Sequence, residues 1–337
     1  LDGVSSLLPD TALFLYQYIR REAVLSSQIE GTQSSLSDLL LFEIDETPGV
    51  PTDDVAEVSR YVRALEVGLA RIRDGLPLSG RLFQEVHGTL LSAGRGADKL
   101  PGEYRRSQVW LGGPRPALAL FVPPPPQLIA ESMAELERFL NDVPERTPTL
   151  LKAALAHVQF ETIHPFLDGN GRVGRLLITL LLVREGALAA PLLYLSLYLK
   201  QNRSTYYELL QRVRTESAWE DWLAFFVEGV RVTAEGAVAS ARAIAELFGE
   251  DREKIRRMGR IAGSAMLVHD ALVRHPIQTN KSAVERSGLS APTVIAVMKK
   301  LDEAGIVREM TGKQRYRIFG YAGYLAILGE GTKSGSA

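Results

Sequence analysis

Apolar residues recur at helical spacing along most of this chain. In the segment 150–161 they lie three or four positions apart, which predicts a helix. Pro165 disfavours helical backbone at the residue before it, so this helix should end near Ile163. The segment 172–183 is apolar on nearly every face, which predicts a second helix that is buried on all sides. The pattern predicts a mainly α fold with a short loop between two central helices.

A shorter pattern upstream of these helices predicts a β-hairpin. The segment 102–113 has the composition of a strand that ends in a glycine turn. The apolar run 117–122 would return as the second strand, and the proline run 123–126 would end it.

The last part of the chain predicts a winged helix-turn-helix domain. Two helices are expected at 280–287 and 290–304, the second with Ser290 as its N-cap. Two strands are expected at 305–310 and 315–319, and the turn between them would form the wing.

These patterns divide the chain into five regions. They are a helical N-terminal region (1–75), a central core with the hairpin (76–245), a charge-rich helical linker (246–262), the winged helix (263–325) and a tail (326–337). Residues 329–337 are small and polar, so this end is expected to be disordered. Pro48, Gly49 and Pro51 should interrupt the N-terminal helices.

Composition limits the kinds of partner. The chain has 337 residues, enough for two or three domains, and its formal net charge of −1 argues against whole-chain affinity for nucleic acid. The segment 264–325 carries nine Lys/Arg and five Asp/Glu, a net charge of +4, which is only mildly basic. DNA binding through Thr293, Lys299 and Lys300 of the second winged-helix helix therefore stays open, and winged helices also bind proteins.

Composition also indicates a compartment. The chain has no cysteine, which suits a reducing environment, and no signal peptide is visible. The longest uncharged apolar stretch, 186–199, has 14 residues, whereas a membrane span needs about 20. We expect a cytoplasmic protein without membrane attachment.

The strongest chemical signal lies at 164–175, in the loop between the two central helices. The sequence there is His-Pro-Phe-Leu-Asp-Gly-Asn-Gly-Arg-Val-Gly-Arg. Residues 169–171 would form the N-terminus of the second helix, where the helix dipole favours an anion near their backbone N–H groups. Arg172 and Arg175 are three positions apart, so they share a helix face and can bind one phosphate chain. This set of groups suits a polyphosphate, its metal ion and the deprotonation of a hydroxyl.

Two common phosphate-binding loops do not match this segment. The P-loop needs Lys-Ser or Lys-Thr after its glycines, and none is present. The dinucleotide fingerprint needs a preceding strand and a different glycine spacing.

The segment resembles the motif of the Fic domain family, H-x-F-x-[D/E]-G-N-G-R-x-x-R, and every position matches. The resemblance implies a Fic fold with a β-hairpin flap, and transfer of AMP from ATP to a Ser, Thr or Tyr hydroxyl of a target protein or of the protein itself. The roles that the resemblance implies are general base for His164, Mg²⁺ ligand for Asp168, anion hole for Gly169, Asn170 and Gly171, pyrophosphate binding for Arg172 and Arg175, and core anchor for Phe166. A histidine suits the role of base at neutral pH.

A second motif supports the first. Residues 26–31, Ser-Ser-Gln-Ile-Glu-Gly, resemble the inhibitory motif S/T-x-x-x-E-[G/N] of many Fic proteins. Ser26 and Glu30 are four positions apart and share a helix face. In the family this glutamate pairs with the last arginine of the core motif, here Arg175, and blocks the seating of the ATP γ-phosphate.

Two further segments match the family. Gln108, Val109, Trp110, Leu111 and Gly112 resemble the flap, which aligns the target by strand addition. Tyr206 and Tyr207 resemble a tyrosine pair near the nucleotide base, although adjacent tyrosines on a helix can equally pack in a core.

The resemblance implies an autoinhibited protein adenylyltransferase that uses ATP and Mg²⁺. Alternatives remain open: a nucleotide-sensing transcriptional regulator, a bifunctional enzyme in which Glu30 orients water for removal of AMP, or transfer of another group such as phosphocholine or UMP. An intact His164 favours transfer, since a pure sensor needs no base. A homodimer also remains open.

Overall fold

The computed structural model describes residues 11–44, 51–312 and 317–332, with side chains from residue 15 onward. The predicted breakers Pro48 and Gly49, the wing residues 313–316 and the tail residues 333–337 lie outside this part. The helices within it are α1 (Thr11–Ile29), α2 (Leu36–Phe42), α3 (Thr52–Arg73), α4 (Gly80–Leu90), α5 (Ile129–Leu140), α6 (Thr149–Ile163), α7 (Asn170–Arg184), α8 (Ser196–Gln201), α9 (Arg203–Glu216), α10 (Trp219–Arg256), α11 (Ala262–Arg274), α12 (Asn280–Ser287), α13 (Ala291–Glu303) and α14 (Ala322–Leu328). The strands are β1 (Ile277–Thr279), β2 (Val307–Glu309) and β3 (Ile318–Tyr321).

The two central helices follow the prediction. α6 ends at Ile163, and α7 is buried at twelve of its fifteen positions. The two helices pack against each other, and α3 lies against α7 across a core that also includes residues of α1 and α4. The loop 164–169 is therefore held between two buried helices.

The N-terminal helices enclose this pair. α1 packs on α3 and α8, and α2 begins at a capping box in which Ser35 and Asp38 exchange hydrogen bonds. Pro51 is the N-cap of α3, in agreement with its predicted role as a helix boundary.

One long helix connects the core to the C-terminal part. α10 has 38 residues, and its last third includes most of the predicted linker 246–262. Phe248 and Ile255 of this part are buried in a second core, together with Tyr18 and Leu25 of α1 and residues of the C-terminal elements. The C-terminal part therefore shares a core with the N-terminal helix.

The C-terminal elements form a small helical unit with a three-stranded sheet. The sheet is antiparallel with the order β1-β3-β2, and Ile277 pairs with Gly320 while Val307 pairs with Tyr321. α12 has the predicted bounds, and α13 and the two later strands lie close to theirs. The first strand was not predicted, because three residues give no alternating pattern. The winged helix-turn-helix remains a prediction for this unit.

Two expectations need correction. The segments 102–113 and 117–122 were expected to be two strands, but they share only a single antiparallel bridge between Leu111 and Phe121, and residues 116–118 form a 3₁₀ turn. The tail is ordered through Thr332, whose side chain is buried and whose carbonyl accepts a hydrogen bond from Gln28.

Within the described ranges, no helix combines the length and the apolar character that crossing a bilayer requires.

Candidate active site

The motif lies in a tight loop that turns the chain from α6 into α7. His164 follows the last residue of α6 with a left-handed backbone, φ 48° and ψ 62°. This region is sparsely populated by residues other than glycine and costs on the order of 1–2 kcal/mol. Other contacts must hold His164 in this conformation.

Arg105 supplies these contacts, and the sequence gave no sign of this role. Its buried side chain donates to the carbonyl of His164 (2.9 Å), to that of Ser107 (3.1 Å) and to that of Pro124 (2.5 Å). Its backbone N–H also donates to the carbonyl of Pro165 (2.9 Å). Arg105 thus joins the start of the flap, the proline run and the turn that carries His164.

His87 of α4 fixes the other side of the loop, and it was also missed. Its ring stacks on Phe166 at 3.7 Å between centroids. The N–H of Gly102 donates to its Nδ1 (2.9 Å), so the proton lies on Nε2, which donates to the carbonyl of Asp168 (3.0 Å). Burial lowers the pKa of His87 to about 4, which keeps this tautomer neutral.

Asn170 closes the loop from within. Its amide exchanges two hydrogen bonds of 2.9 Å with the N–H and carbonyl of Phe166. The buried Phe166 is thus the core anchor that the resemblance implied. The side chain of Asn170 is structural, and its contribution to an anion hole would come from its backbone N–H.

Asp168 faces the mouth of the site. Its side chain is about one third exposed, and Oδ1 accepts from the N–H of Gly169 (2.6 Å). This N–H is therefore engaged in the present structure, which leaves those of Asn170 and Gly171 for an anion. Oδ2 of Asp168 makes no hydrogen bond to a described residue and is available to a cation.

Arg172 is buried beside Asp168. Its Nη1 lies 2.5 Å from Oε1 of Glu57, a buried carboxylate on α3, and its Nη2 lies 3.5 Å from Oδ1 of Asp168. Nε of Arg172 is buried and has no partner in the described part of the chain. Glu57 is a third site residue that no sequence signal indicated.

Arg175 joins the core motif to the inhibitory motif. Its Nε donates to Oγ of Ser26 (2.8 Å), and Nη2 donates to the carbonyl of Ser26 (3.0 Å) and to Oε1 of Glu30 (2.6 Å). Its Nη1 is buried with no partner among the described residues. The contact between Glu30 and Arg175 has the geometry that the inhibitory motif predicted.

The carboxylate of Glu30 lies at the N-terminus of α7. It is so close to Gly171 that any side chain at this position would collide with it. Burial would raise the pKa of Glu30, but the charge of Arg175, with those of Arg172 and Arg203, lowers it instead. Glu30 is therefore ionised at neutral pH and lies where an anion would bind.

His164 is partly buried, with 15% of its side chain exposed, and it lies among charged groups. Burial, together with the positive charges of Arg214 and Arg105, lowers its pKa to about 4, so the imidazole is neutral at pH 7. Its Nδ1 lies 3.9 Å from Oε2 of Glu161, one turn earlier on α6. Burial raises the pKa of Glu161 to about 7.

The two tyrosines differ in accessibility. Tyr206 is only 1% exposed, and its hydroxyl donates to Nε2 of His157 (2.8 Å), whose Nδ1–H donates to the carbonyl of Gly174 (3.0 Å). Tyr207 is 43% exposed, with the guanidinium of Arg203 5.6 Å from its ring centroid. Of the pair, Tyr207 is the accessible residue, so the prediction of nucleotide contact now favours Tyr207 over Tyr206.

The flap borders the site. The N–H of Leu111 donates to the carbonyl of Phe121 (2.9 Å), and Nε2 of Gln108 donates to the carbonyl of Pro123 (2.8 Å). Val109 is half-buried, and Gly112 turns the chain with φ 73°. Large apolar side chains on the flap are exposed; they are Trp110, Leu118, Leu120 and Val122.

Two family models match this chain. One, described as Fic/DOC family N-terminal, matches residues 1–70, and the other, described as Fic/DOC family, matches residues 77–182 and thus contains the loop and both central helices. The chain belongs to the Fic/DOC family. Curated relatives named protein adenylyltransferase Fic, from Drosophila melanogaster and Drosophila sechellia, are 43% identical over 113 residues. The match covers 33% of this chain and 20% of each relative, so the chain spans about a fifth of their length.

Solved Fic structures share the fold. A Fic family protein from Desulfovibrio desulfuricans G20 is 21% identical with a TM-score of 0.61, covering 96% of this chain and 91% of that one. A Fic domain-containing signaling protein from Bacteroides thetaiotaomicron is 23% identical with a TM-score of 0.55, covering 72% of this chain and 94% of that one. At these identities the likeness establishes a Fic fold.

Proposed function

We propose that this protein is an autoinhibited adenylyltransferase that transfers AMP from ATP to a hydroxyl side chain of a target protein or of itself. The observation that carries the proposal is that His164 and Asp168 of the loop lie beside Arg172 and Arg175 of the first turns of α7, with Glu30 bound to Arg175. Two buried guanidinium nitrogens, Nε of Arg172 and Nη1 of Arg175, have no partner among the residues that the structure describes, and they favour a ligand rich in phosphate oxygens.

The chemistry follows from the charges at this loop. A target hydroxyl attacks the α-phosphorus of ATP, its proton passes to the neutral imidazole of His164, and the bond to the pyrophosphate leaving group breaks. Nε2 would accept this proton, since Nδ1 lies toward Glu161. Arg175, once free of Glu30, and Arg172 would stabilise the charge that develops on the pyrophosphate.

The residues present fit a magnesium ion. Asp168 offers one free carboxylate oxygen at the mouth of the site, and a single protein carboxylate plus phosphate oxygens and water is a common magnesium environment. When bound, Mg²⁺ supplies charge neutralisation on the phosphates. Within the described residues, no group of three or more His, Asp or Glu side chains is arranged to hold a metal ion without substrate.

The flap would receive the target. Its exposed apolar side chains and single backbone bridge leave an edge to which an extended peptide can add as a strand. The C-terminal unit is a weaker candidate for DNA binding, because Lys299 and Lys300 of α13 both lie near the carboxylate of Glu303 (4.0 and 2.6 Å).

Intact mass spectrometry after incubation with ATP and Mg²⁺ tests the proposal. We expect a mass gain of one AMP on the protein, or on added candidate targets, and a different gain would identify another transferred group. Nucleotide binding without any transfer, even when Glu30 is replaced by Gly, would instead favour the sensor alternative.

His164→Ala tests the role of the base. We expect a loss of transfer of about 10²–10⁴-fold with ATP affinity retained, because the arginines and backbone N–H groups bind the phosphates. The matched control His275→Ala, in the C-terminal unit, should transfer normally. A His164→Ala variant with the wild-type rate would exclude this residue as the base.

A further inference from the structure

A cavity lies away from the motif, between the inhibitory helix and the C-terminal end of the chain. It has a volume of about 480 Å³ and is bounded by α1, α8, α10 and residues 327–331. Its wall is partly apolar, with Tyr194, Leu197 and Ile327, and partly polar, with Thr233 and Ser240. This size is typical of small-molecule sites, and no residue of the core motif takes part in it.

Arg21 of α1 is the unusual member of this wall. It is 1% exposed, and no described carboxylate lies within ion-pair distance of it. Its Nη2 donates to the carbonyl of Glu330 (2.8 Å), and its guanidinium lies 4.2 Å above the ring of Tyr194. Nε and Nη1 have no partner in the described part of the chain. A buried cation without a counter-ion is unfavourable, so this position favours an anion.

The segment that Arg21 contacts also holds the inhibitory motif. Gln28, which lies between Ser26 and Glu30, donates to the carbonyl of Thr332 (2.7 Å). Lys200 donates to Oε1 of Gln28 (2.6 Å) and to the carbonyl of Gly331 (3.0 Å). Residues 330–332 are therefore fastened to α1 at both Arg21 and Gln28, and we call this set of contacts the C-terminal clasp.

We propose that the cavity is an effector site for a small organic monoanion. The acid group would pair with Arg21, and an apolar body would lie against Tyr194, Leu197 and Ile327. Nε and Nη1 of Arg21 are buried. The acid group therefore binds Nη2 and displaces the carbonyl of Glu330 from this nitrogen. Binding therefore loosens the clasp and, through α1, the hold of Glu30 on Arg175. The binding stands by itself, whereas its effect on AMP transfer rests on the proposed function.

Calorimetric titration of the full chain tests the site. The probes are hexanoate and hexyl phosphate, with hexanol (the body alone) and inorganic phosphate (the anion alone) as comparisons. We expect the two amphiphilic anions to bind and hexanol not to bind, and the stronger of the two identifies the acid group. Arg21→Met should weaken binding about ten- to a hundred-fold, whereas Arg242→Met, an exposed arginine of α10, should not.

A second variant tests the site independently, in case Arg21→Met does not fold. Ala243→Phe places a large ring in the cavity from α10 while Arg21 itself is unchanged, and it should also abolish binding. Binding that survives both variants overturns the site, and so does phosphate binding as tightly as hexanoate, which would mean an adventitious ion only. No binding of either amphiphilic anion to the wild type likewise overturns it.

Two readouts test the consequence. Backbone hydrogen exchange at 329–332 should accelerate when the stronger probe binds, and unchanged exchange overturns the release of the clasp. The same probe should raise AMP transfer by the wild type and leave Arg21→Met unaffected. If Glu30→Gly transfers nothing, the proposed function fails while the calorimetric result for the site stands.

Discussion

Under the proposed function, Glu30 is the residue that would most directly oppose phosphate binding. It is ionised, it lies at the N-terminus of α7, and it holds Nη2 of Arg175 at 2.6 Å. A triphosphate that approaches the same helix end meets a negative charge and an arginine that is already paired. Each of these effects is worth about 1–3 kcal/mol.

We expect Glu30→Gly to raise the rate of AMP transfer roughly ten- to a hundred-fold. Glu30→Gln, which removes the charge and keeps the size, should give part of this gain. Adding Arg175→Ala to Glu30→Gly should remove most of the gain in rate, because the arginine that Glu30→Gly frees for the phosphates is then absent. Labelling with ATP under matched conditions measures all three, with Glu85→Gln, which breaks an exposed ion pair with Arg71, as the control.

Hydrolytic removal of AMP from a modified target is an alternative role for Glu30. If this carboxylate orients water, the wild type should strip AMP from a target that was modified in advance, and Glu30→Gly should not. Glu30 would be an ordinary charge if its replacement changed neither labelling nor removal.

His164 gives a pH prediction for the reaction. The base works when it is unprotonated, so transfer persists above its pKa and is lost as the pH falls through it. With the pKa lowered to about 4, kcat/KM should show no loss near pH 6.5, the ordinary histidine value. Transfer rates between pH 5 and 8 check this, and an acid limb at 6.5 would contradict it.

Glu161 is the control for this profile, because its pKa is raised to about 7 beside the same imidazole. A limb near pH 7 that disappears in Glu161→Gln belongs to Glu161 and leaves the prediction for His164 intact.

At the scale of elements, the sequence predicted what is local and missed what is distant. The segment 164–175, which is the loop and the start of α7, and the bounds of α12 follow from contiguous residues whose turn and helix signals agree. His87, Arg105 and Glu57 reach the loop from 59 or more positions away, and each alone has the pattern of an ordinary helix or loop residue. The sequence also did not predict that Tyr206 is buried, because its partner His157 lies on another helix.

Arg105 gives the prediction that belongs to this scale. It holds the strained turn of His164 to the flap, so Arg105→Met should let the imidazole drift from its position. We expect kcat for AMP transfer to fall about tenfold or more with little change in ATP affinity, because small misplacements of a reacting group are costly. Steady-state kinetics and ATP titration separate the two quantities.

The neighbouring arginine provides a matched control. Arg106 has an 80% exposed side chain, and its ion pair among the described residues is with Glu103, so Arg106→Met should leave both quantities unchanged. Equal losses in the two variants would show that Arg105 has no special role in positioning His164.

At the scale of the whole molecule, α10 and the shared core connect the inhibitory helix to the C-terminal unit. Tyr18 of α1 donates to the carbonyl of Ala237 on α10 (3.1 Å), and Phe248 farther along α10 stacks on Tyr321 of β3. The C-terminal unit and the helix that carries Glu30 are therefore linked through direct contacts with α10. The division of the sequence into five regions gave no indication of this link. Buried ionisable groups lie in the helices of both the central core and the C-terminal unit.

These groups make stability depend on pH. Burial lowers the pKa of four histidines well below 6.5; they are His87 (about 4), His157 (about 3), His164 (about 4) and His269 (about 4). Their contribution to stability is complete above pH 6.5 and is lost as the pH falls, because only the unfolded chain binds these protons. Glu22 and Glu161 oppose them, since burial raises their pKa to about 7 and the folded chain holds their protons between pH 4.5 and 7.

Four histidines outweigh two carboxyls, so the free energy of unfolding should decrease from pH 7 to pH 5, by about 2 kcal/mol per pH unit near pH 5.5. Urea unfolding at several pH values measures this slope. His269→Gln keeps a donor for the hydroxyl of Tyr321 and removes one titrating ring, so its slope should be smaller by about 1 kcal/mol per pH unit. His275→Gln, at a half-buried histidine, should change the slope less. A free energy that is constant or increases from pH 7 to pH 5 would mean that these histidines are not neutral in the folded protein.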